Sequence, residues 1–211
     1  ANIVKKILEI DKVSGLLLHT IGGKSAEWPP DLYFTEENLK KIKLHSEPFF
    51  DKPEKLVGQS LYLKDKLSIK KNKKLVLFFG SMYPWKGPDT LLNSLKYLND
   101  DFHLIFAGNT LTYNGDLNVF KHPQIPLLDK PDDALMYELY KSADIVACPY
   151  GPSYAYGTSS VCMNAILASK PVICPDLEPF ISVLNKYKCG EIFKTNDSFS
   201  LASVIKKTTK N

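Results

Sequence analysis

Residues 75–87 read LVLFFGSMYPWKG. The unbroken apolar run from Leu75 to Phe79 is the pattern of a strand buried on both faces, as in a parallel sheet. It breaks at Gly80. A loop with Pro84 follows, then Lys86, Gly87 and Pro88, and the spacing predicts a helix over 89–98, with Asp89 at its opening. The result is a strand–loop–helix unit with a lysine at the helix mouth. The first turn of a helix offers unpaired N–H groups and a partial positive charge, and a nearby ammonium adds a full one. Such a place suits a phosphate. The same pattern also opens α/β domains that bind nothing there, so the rest of the chain has to decide.

Downstream, apolar strands alternate with helical patterns. Strands are expected at 102–107, 144–148, 171–174 and 190–193, with a weaker one near 117–121. Helices are expected at 132–142, 159–169, 178–186 and 198–207, with Asp132 and Ser198 as N-caps. This alternation predicts an α/β, doubly wound parallel sheet of the Rossmann-like kind. In such sheets ligands sit beyond the carboxyl ends of the strands, near the switch in strand order. Gly80, Gly108, Pro149 and Pro175 all follow strands, so their loops should line one rim.

The first 70 residues read differently. A helix over 2–11 leads to an apolar strand at 15–20, a Gly22–Gly23 loop and a turn at Trp28–Pro29–Pro30. Residues 31–43 read as a strand followed by a helix, with Thr35 as N-cap and Asn38 where a capping-box glutamate would stand. The organisation expected is a partial lobe over 1–50, a linker over 51–73 carrying one amphipathic turn, and a ligand-binding domain over 74–211. Two strands are too few for a complete nucleotide fold, which takes on the order of 100 residues. A start at Ala1 without methionine agrees with a trimmed chain, and the first part of an N-terminal domain is expected to be missing.

Composition narrows the function classes. The chain has 211 residues, 24% charged and 44% apolar, which is ordinary for a globular protein. No apolar run approaches the roughly 20 residues of a membrane span, and the start has no signal-peptide pattern. Cys148, Cys162, Cys174 and Cys189 lack the short paired spacing of a zinc site, so free thiols in a reducing compartment, and a cytoplasmic location, are expected. The net charge is +4, and all 27 basic residues are lysine. Anions must then be held by lysine point charges, hydroxyls and backbone N–H groups rather than by guanidinium forks. No basic stripe is interleaved with aromatics, which argues against nucleic acid as a partner.

Five strings occur in a fixed order: FFGSMYPWKGPDTLLNSL (78–95), FHLIFAGN (102–109), LYKSADIVACPY (139–150), GTSSVCMNAILASKPVICPD (157–176) and KCGEIFKTND (188–197). In this order they resemble the C-terminal, donor-binding domain of GT-B glycosyltransferases, closest to the retaining family 4 group. The resemblance covers residues 75 to about 205 and extends faintly into the first 70. It implies a nucleotide-sugar-binding domain at 74–211 and an acceptor-side lobe at 1–50. It also implies transfer of a hexose from a UDP- or GDP-linked donor to a glycan, lipid or protein acceptor, with retention of configuration. No metal and no cofactor beyond the donor substrate are implied, and a lipid acceptor would bring the protein to the inner face of the membrane.

The resemblance also assigns residues. Lys86 matches the lysine that binds the donor diphosphate, on the loop that begins at Gly80. The arginine expected just after that glycine is Ser81, which leaves one cation in place of two. The family's Glu-x7-Glu pair falls on Asn164 and near Tyr154 or Tyr156, so both carboxylates are absent. Asn164 still offers an amide to a ribose hydroxyl. Thr158, Ser159 and Ser160 open a helix and suit phosphate oxygens, although Thr158 or Ser159 could serve only as its N-cap. His19 stands in an HT setting like that of a histidine near the transferred sugar in relatives, and Glu178 lies where relatives contact the donor sugar. Either residue has an ordinary reading as well: a strand-end histidine, and a carboxylate complementing a helix dipole. Tyr83 and Trp85 could stack on a base or sugar, or simply pack. The missing arginine and glutamates keep a second reading open, a sugar-nucleotide-binding module weak or inert in catalysis. A dinucleotide dehydrogenase is disfavoured because no strand is followed by Gly-x-Gly-x-x-Gly.

Overall fold

The computed structural model describes residues 55–154, 159–178 and 180–209 in full and the backbone of 16–19 and 42–45. Strands β1 (Leu16–His19) and β2 (Ile42–His45) pair in parallel, with Leu16 opposite Ile42 and His19 opposite His45. They belong to a compact unit separate from that of the larger sheet. Residues 42 and 43, expected at the end of a helix, are therefore extended. Ile42, Lys43, Leu44 and His45 alternate apolar and polar, the period of a strand. The helix expected at 2–11, the Gly22–Gly23 loop and the strand at 31–34 lie outside the described residues.

The larger unit begins with α1 (Tyr62–Lys66), inside the segment expected as a linker. Leu56 and Leu63 are fully buried there, and the Ser60 hydroxyl donates to Glu138 at 2.7 Å. Next come β3 (Lys74–Phe79), α2 (Pro88–Ser94) and β4 (Phe102–Gly108). Then follow β5 (Leu127–Asp129), α3 (Asp133–Ser142) and β6 (Ile145–Ala147). The chain continues with α4 (Ser160–Leu167), β7 (Val172–Pro175), α5 (Phe180–Tyr187), β8 (Gly190–Phe193) and α6 (Ser198–Thr208). The strand order is β5-β4-β3-β6-β7-β8 and every neighbouring pair is parallel. This is the doubly wound α/β sheet that the alternation predicts.

The continuous apolar run of β3 is explained by burial on both faces: Leu75 through Phe78 are all buried. On one face Val76 and Phe78 join Leu104, Phe106, Ile145 and Ile173, closed by Leu91 of α2 and Leu201 of α6. Phe78 and Phe106 stack with ring centroids 5.2 Å apart. Each such side chain contributes roughly 1.5–3 kcal/mol through burial. Cys148, Cys162 and Cys174 are buried free thiols in this interior, and Cys189 is half-buried.

Side-chain caps fix the start of three of the described helices, α3, α4 and α6. Asp132 accepts from the Leu135 N–H at 2.8 Å and starts α3, as expected. The cap of α6 is Asp197, one residue before the expected Ser198, accepting from the Ser200 N–H at 2.9 Å. The weak strand expected near 117–121 is a 3-10 helix, Leu117–Lys121. Asp116 accepts from the Asn118 N–H at 2.9 Å and turns the chain there, and the edge strand forms instead at Leu127–Asp129. The helix expected at 89–98 is α2 followed by a 3-10 turn, Leu95–Tyr97.

Candidate functional site

The chain runs outward from β3 in both directions, to β4 and β5 on one side and to β6, β7 and β8 on the other. The switch in strand order therefore lies between the carboxyl ends of β3 and β6, where a crevice opens in folds of this kind. Two loops meet there. Gly80 closes β3 with φ +105, and its N–H donates to the Ala107 carbonyl at 2.8 Å. A 3-10 turn, Pro84–Lys86, carries the chain back toward the sheet and ends on Gly87, in the left-handed region at φ 67. A Cβ on Gly87 would lie 1.9 Å from the Pro149 carbonyl oxygen. Only glycine lets the β3 loop rest on the β6 loop in this way. The Gly151 N–H donates to the Trp85 carbonyl at 2.8 Å and fastens the two loops together.

This arrangement aims Lys86 inward. Its Nζ lies 3.4 Å from the place where a Cβ on Gly80 would be, and Val161 Cγ2 is 3.9 Å from the same point. The ammonium is thus beside the first turn of α4. Lys86 is half-buried and has no carboxylate partner among the described residues. Its Nζ lies over the face of Tyr150, 6.0 Å from the ring centroid. Desolvation by burial lowers its pKa below the ordinary lysine value of 10.5, and the neighbouring Cys148 opposes this in part. At α4, Ser159 is the N-cap, its hydroxyl accepting from the Cys162 N–H at 3.1 Å. The Tyr150 hydroxyl lies 3.0 Å from the same Ser159 Oγ. An unneutralised cation beside a capped helix N-terminus is an arrangement that attracts a phosphate.

The lowered pKa has a measurable consequence. Because the folded-state value lies below 10.5, the unliganded fold gains stability as pH rises through it and the buried charge is relieved. Anion binding requires the charge and runs the other way. Diphosphate affinity is expected to fall with rising pH, starting below 10.5, and to fall less in Lys86→Arg, whose guanidinium stays charged. Calorimetric titration at a series of pH values on both proteins measures this, and the difference between them separates the lysine from ionisation of the base. Parallel profiles would remove Lys86 from the site.

The residues singled out in the sequence are placed as follows. Gly80, Lys86 and Ser159 converge on one rim. Ser81 follows Gly80 on that rim and is half-buried, and Ser160 is the exposed first residue of α4. Thr158 lies outside the described residues. Asn164 is one turn into α4 and only 3% exposed. Its amide faces the Tyr140 hydroxyl without reaching hydrogen-bond geometry, and that hydroxyl has no other partner among the described residues. Glu178 is on the loop after β7, where its carboxylate accepts from the Ser182 N–H at 3.3 Å and complements the first turn of α5. His19 ends β1, at the carboxyl end of a strand in the other unit. Tyr83 and Trp85 stack on one another at 4.2 Å, with 38% and 43% of their surfaces exposed.

Tyr150 is the residue that sequence reasoning missed. It is fully buried, and its signal in the sequence was only its place, directly after the Pro149 that ends the β6 run. Among the described residues no group of His, Cys, Asp or Glu could hold a metal ion, and no helix is long and apolar enough to cross a membrane.

Comparison with known proteins bears on the fold and the family. The phosphatidyl-myo-inositol mannosyltransferase of Mycobacterium leprae is 29% identical over 148 residues, 65% of this chain and 38% of that protein. The D-inositol 3-phosphate glycosyltransferase of Corynebacterium glutamicum is 28% identical over 120 residues, 51% of this chain and 28% of that protein. Among solved structures, Anabaena HepE in complex with UDP superposes with a TM-score of 0.67 at 19% identity, over 81% of this chain and 48% of that one. A glycosyltransferase from Rickettsia africae superposes with a TM-score of 0.66 at 20% identity, over 81% of this chain and 48% of that one. The chain spans about half the length of these structures and less of the curated relatives, and the structural likeness is one of fold: the Rossmann-like sheet of GT-B glycosyltransferases. The family model described as glycosyl transferases group 1 matches residues 62–211, the greater part of the sequence, and the chain belongs to that family.

Proposed function

We propose that this chain binds a UDP- or GDP-linked sugar and serves the transfer of its hexose to a glycan, lipid or protein acceptor. The reaction would retain the anomeric configuration and use no metal, as a family 4 hexosyltransferase. In this reading residues 74–211 form the nucleotide-sugar-binding domain and 1–50 an acceptor-side lobe, and 51–73, expected as a linker, is packed into the larger unit through Leu56 and Leu63. The observation that carries it is the half-buried, uncompensated Lys86 beside the N-terminus of α4 at the β3–β6 switch. Sugar transfer leaves negative charge on the departing diphosphate, and a fixed cation with aimed N–H groups stabilises that charge as it develops. Ser81, Ser160 and Thr158 would add hydroxyls to the diphosphate. His19 would lie toward the transferred sugar and Glu178 toward the donor sugar; Asn164, buried and facing Tyr140, would reach a ribose only if its amide turned outward. The relatives support the chemistry: two are named as a mannosyltransferase and a glycosyltransferase, and HepE is solved with UDP and with UDP-glucose. A cytoplasmic location fits the free thiols, with a lipid acceptor as the route to the inner membrane face.

Titration of the chain with UDP, GDP, ADP and their sugars tests this. A nucleoside diphosphate should bind more tightly than its nucleoside. Absence of binding by every diphosphate would overturn the reading. A second reading, a binding module with little or no catalysis, is favoured by Ser81 in place of an arginine and by Asn164 in place of a glutamate. Donor hydrolysis separates the two, because water needs no acceptor site: a module would bind the donor and leave it intact.

A further inference from the structure

We propose that Tyr150 is a positioning residue for diphosphate binding: its ring lies under the Lys86 ammonium, and its hydroxyl holds the buried Ser159 cap of α4. This rests on the reading of the rim as a nucleoside diphosphate site.

The geometry gives Tyr150 two separate contacts at the site. Lys86 Nζ stands 6.0 Å from its ring centroid, and its hydroxyl is 3.0 Å from Ser159 Oγ. The ring itself is fixed. It is fully buried, with Tyr154 at 4.2 Å and Phe180 at 5.6 Å between centroids, and the Tyr150 N–H donates to the Cys148 carbonyl at 2.8 Å. Tyr150 also follows Pro149 directly, so it moves with the loop on which Gly87 rests. One rigid side chain thereby ties the cation on the β3 loop to the helix after β6.

An aromatic ring suits this task for an electrostatic reason. Lys86 has a long flexible stem and, among the described residues, no carboxylate to orient it. A carboxylate would hold the ammonium but would cancel its charge and repel a phosphate. The face of a ring attracts a cation through its quadrupole and leaves the charge intact. The hydroxyl does comparable work on Ser159: it fixes the Oγ in the rotamer that accepts from the Cys162 N–H, and so keeps the first turn of α4 ordered for the ligand.

The test compares a diphosphate with its own nucleoside on the 211-residue chain. Calorimetric titration with UDP and uridine, and with GDP and guanosine, is run on wild type, Tyr150→Phe, Tyr150→Leu, Lys86→Ala and the Tyr150→Leu/Lys86→Ala double variant. Tyr150→Phe keeps the ring and loses the hydroxyl, and should weaken diphosphate binding about three- to tenfold, the scale of one hydrogen bond. Tyr150→Leu loses the ring as well and should weaken it further, to roughly tenfold or more. Nucleoside affinity should stay unchanged in every variant, which a packing defect would not allow. In the Lys86→Ala background Tyr150→Leu should cost less than in wild type. Should Tyr150→Leu not fold, Ser159→Ala takes its place: adding Tyr150→Phe to it should cost no diphosphate affinity beyond that of Ser159→Ala alone. Equal losses for diphosphate and nucleoside, or strictly additive effects of Tyr150 with Lys86, would overturn the proposal while leaving the diphosphate site standing. A wild-type chain that binds no diphosphate would overturn both.

Discussion

Lys86→Ala is expected to weaken nucleoside diphosphate binding by roughly 1.5–3 kcal/mol, the scale of a hydrogen bond to a charged group. That corresponds to about a 10- to 150-fold rise in dissociation constant. The size follows from the lack of a substitute. The loop from Gly80 to Gly87 contains no other basic residue, so no second cation on it can take over. What remains is the capped N-terminus of α4, whose partial charge contributes a smaller share. Partial burial keeps the Lys86 charge from being screened as a surface charge would be. The same substitution should not cost fold stability, because it removes a desolvated cation that has no carboxylate partner among the described residues. The expected signature is therefore a large loss of diphosphate affinity, unchanged nucleoside affinity and a thermal midpoint that holds or rises. Calorimetry and thermal melting of the two proteins decide it. Specific diphosphate binding that survives Lys86→Ala intact would show that the loop after β3 is not the phosphate site.

Gly87→Ala is expected to cost roughly 2–4 kcal/mol of stability, from a left-handed backbone and a backbone clash together. At φ 67 a non-glycine residue is strained, by about 1–2 kcal/mol. The added Cβ would also lie 1.9 Å from the Pro149 carbonyl oxygen and 2.9 Å from its carbon. Both are backbone atoms held at the end of β6, so one loop has to move off the other. Lys86 precedes Gly87 and moves with it, and diphosphate affinity should fall along with stability. Gly151→Ala is the matched comparison. Its Cβ would meet Asn196 Oδ1 at 3.6 Å and the Trp85 carbonyl at 3.7 Å, which is ordinary contact. Denaturant unfolding and diphosphate titration of both variants measure the contrast. Similar behaviour of the two would mean that the loops are not locked through Gly87.

Much of the larger unit was legible along the chain because its determinants are local. The run Leu75–Phe79 is apolar without alternation, and only a strand covered on both faces has that need. Asp132 opens α3 as read, since a cap requires only one side chain and the N–H three residues on. Lys86 could be singled out because it stands at a fixed distance from a strand end, and the five strings in order carried the family. Errors occurred where local signals were balanced. The segment 117–121 is apolar enough for a strand, yet Asp116 caps a 3-10 turn there and the edge strand forms later, at Leu127–Asp129. Residues 42–45 fit either period until pairing with β1 chose the extended one.

What the sequence by itself determined, then, is the alternation of strands and helices, the place of Lys86 after the first strand of the sheet, and the family to which these strings belong. Tertiary structure alone decided which groups meet. Nothing in the string shows that Gly87 leaves room for the Pro149 carbonyl, that Asn164 turns inward toward Tyr140, or that Tyr150 lies between Lys86 and Ser159. The Gly87–Pro149 and Lys86–Tyr150 contacts join loops 62 and 64 residues apart in sequence. They exist because β3 and β6 are neighbours in a parallel sheet, and that pairing is set by the packing of the whole core rather than by any local pattern.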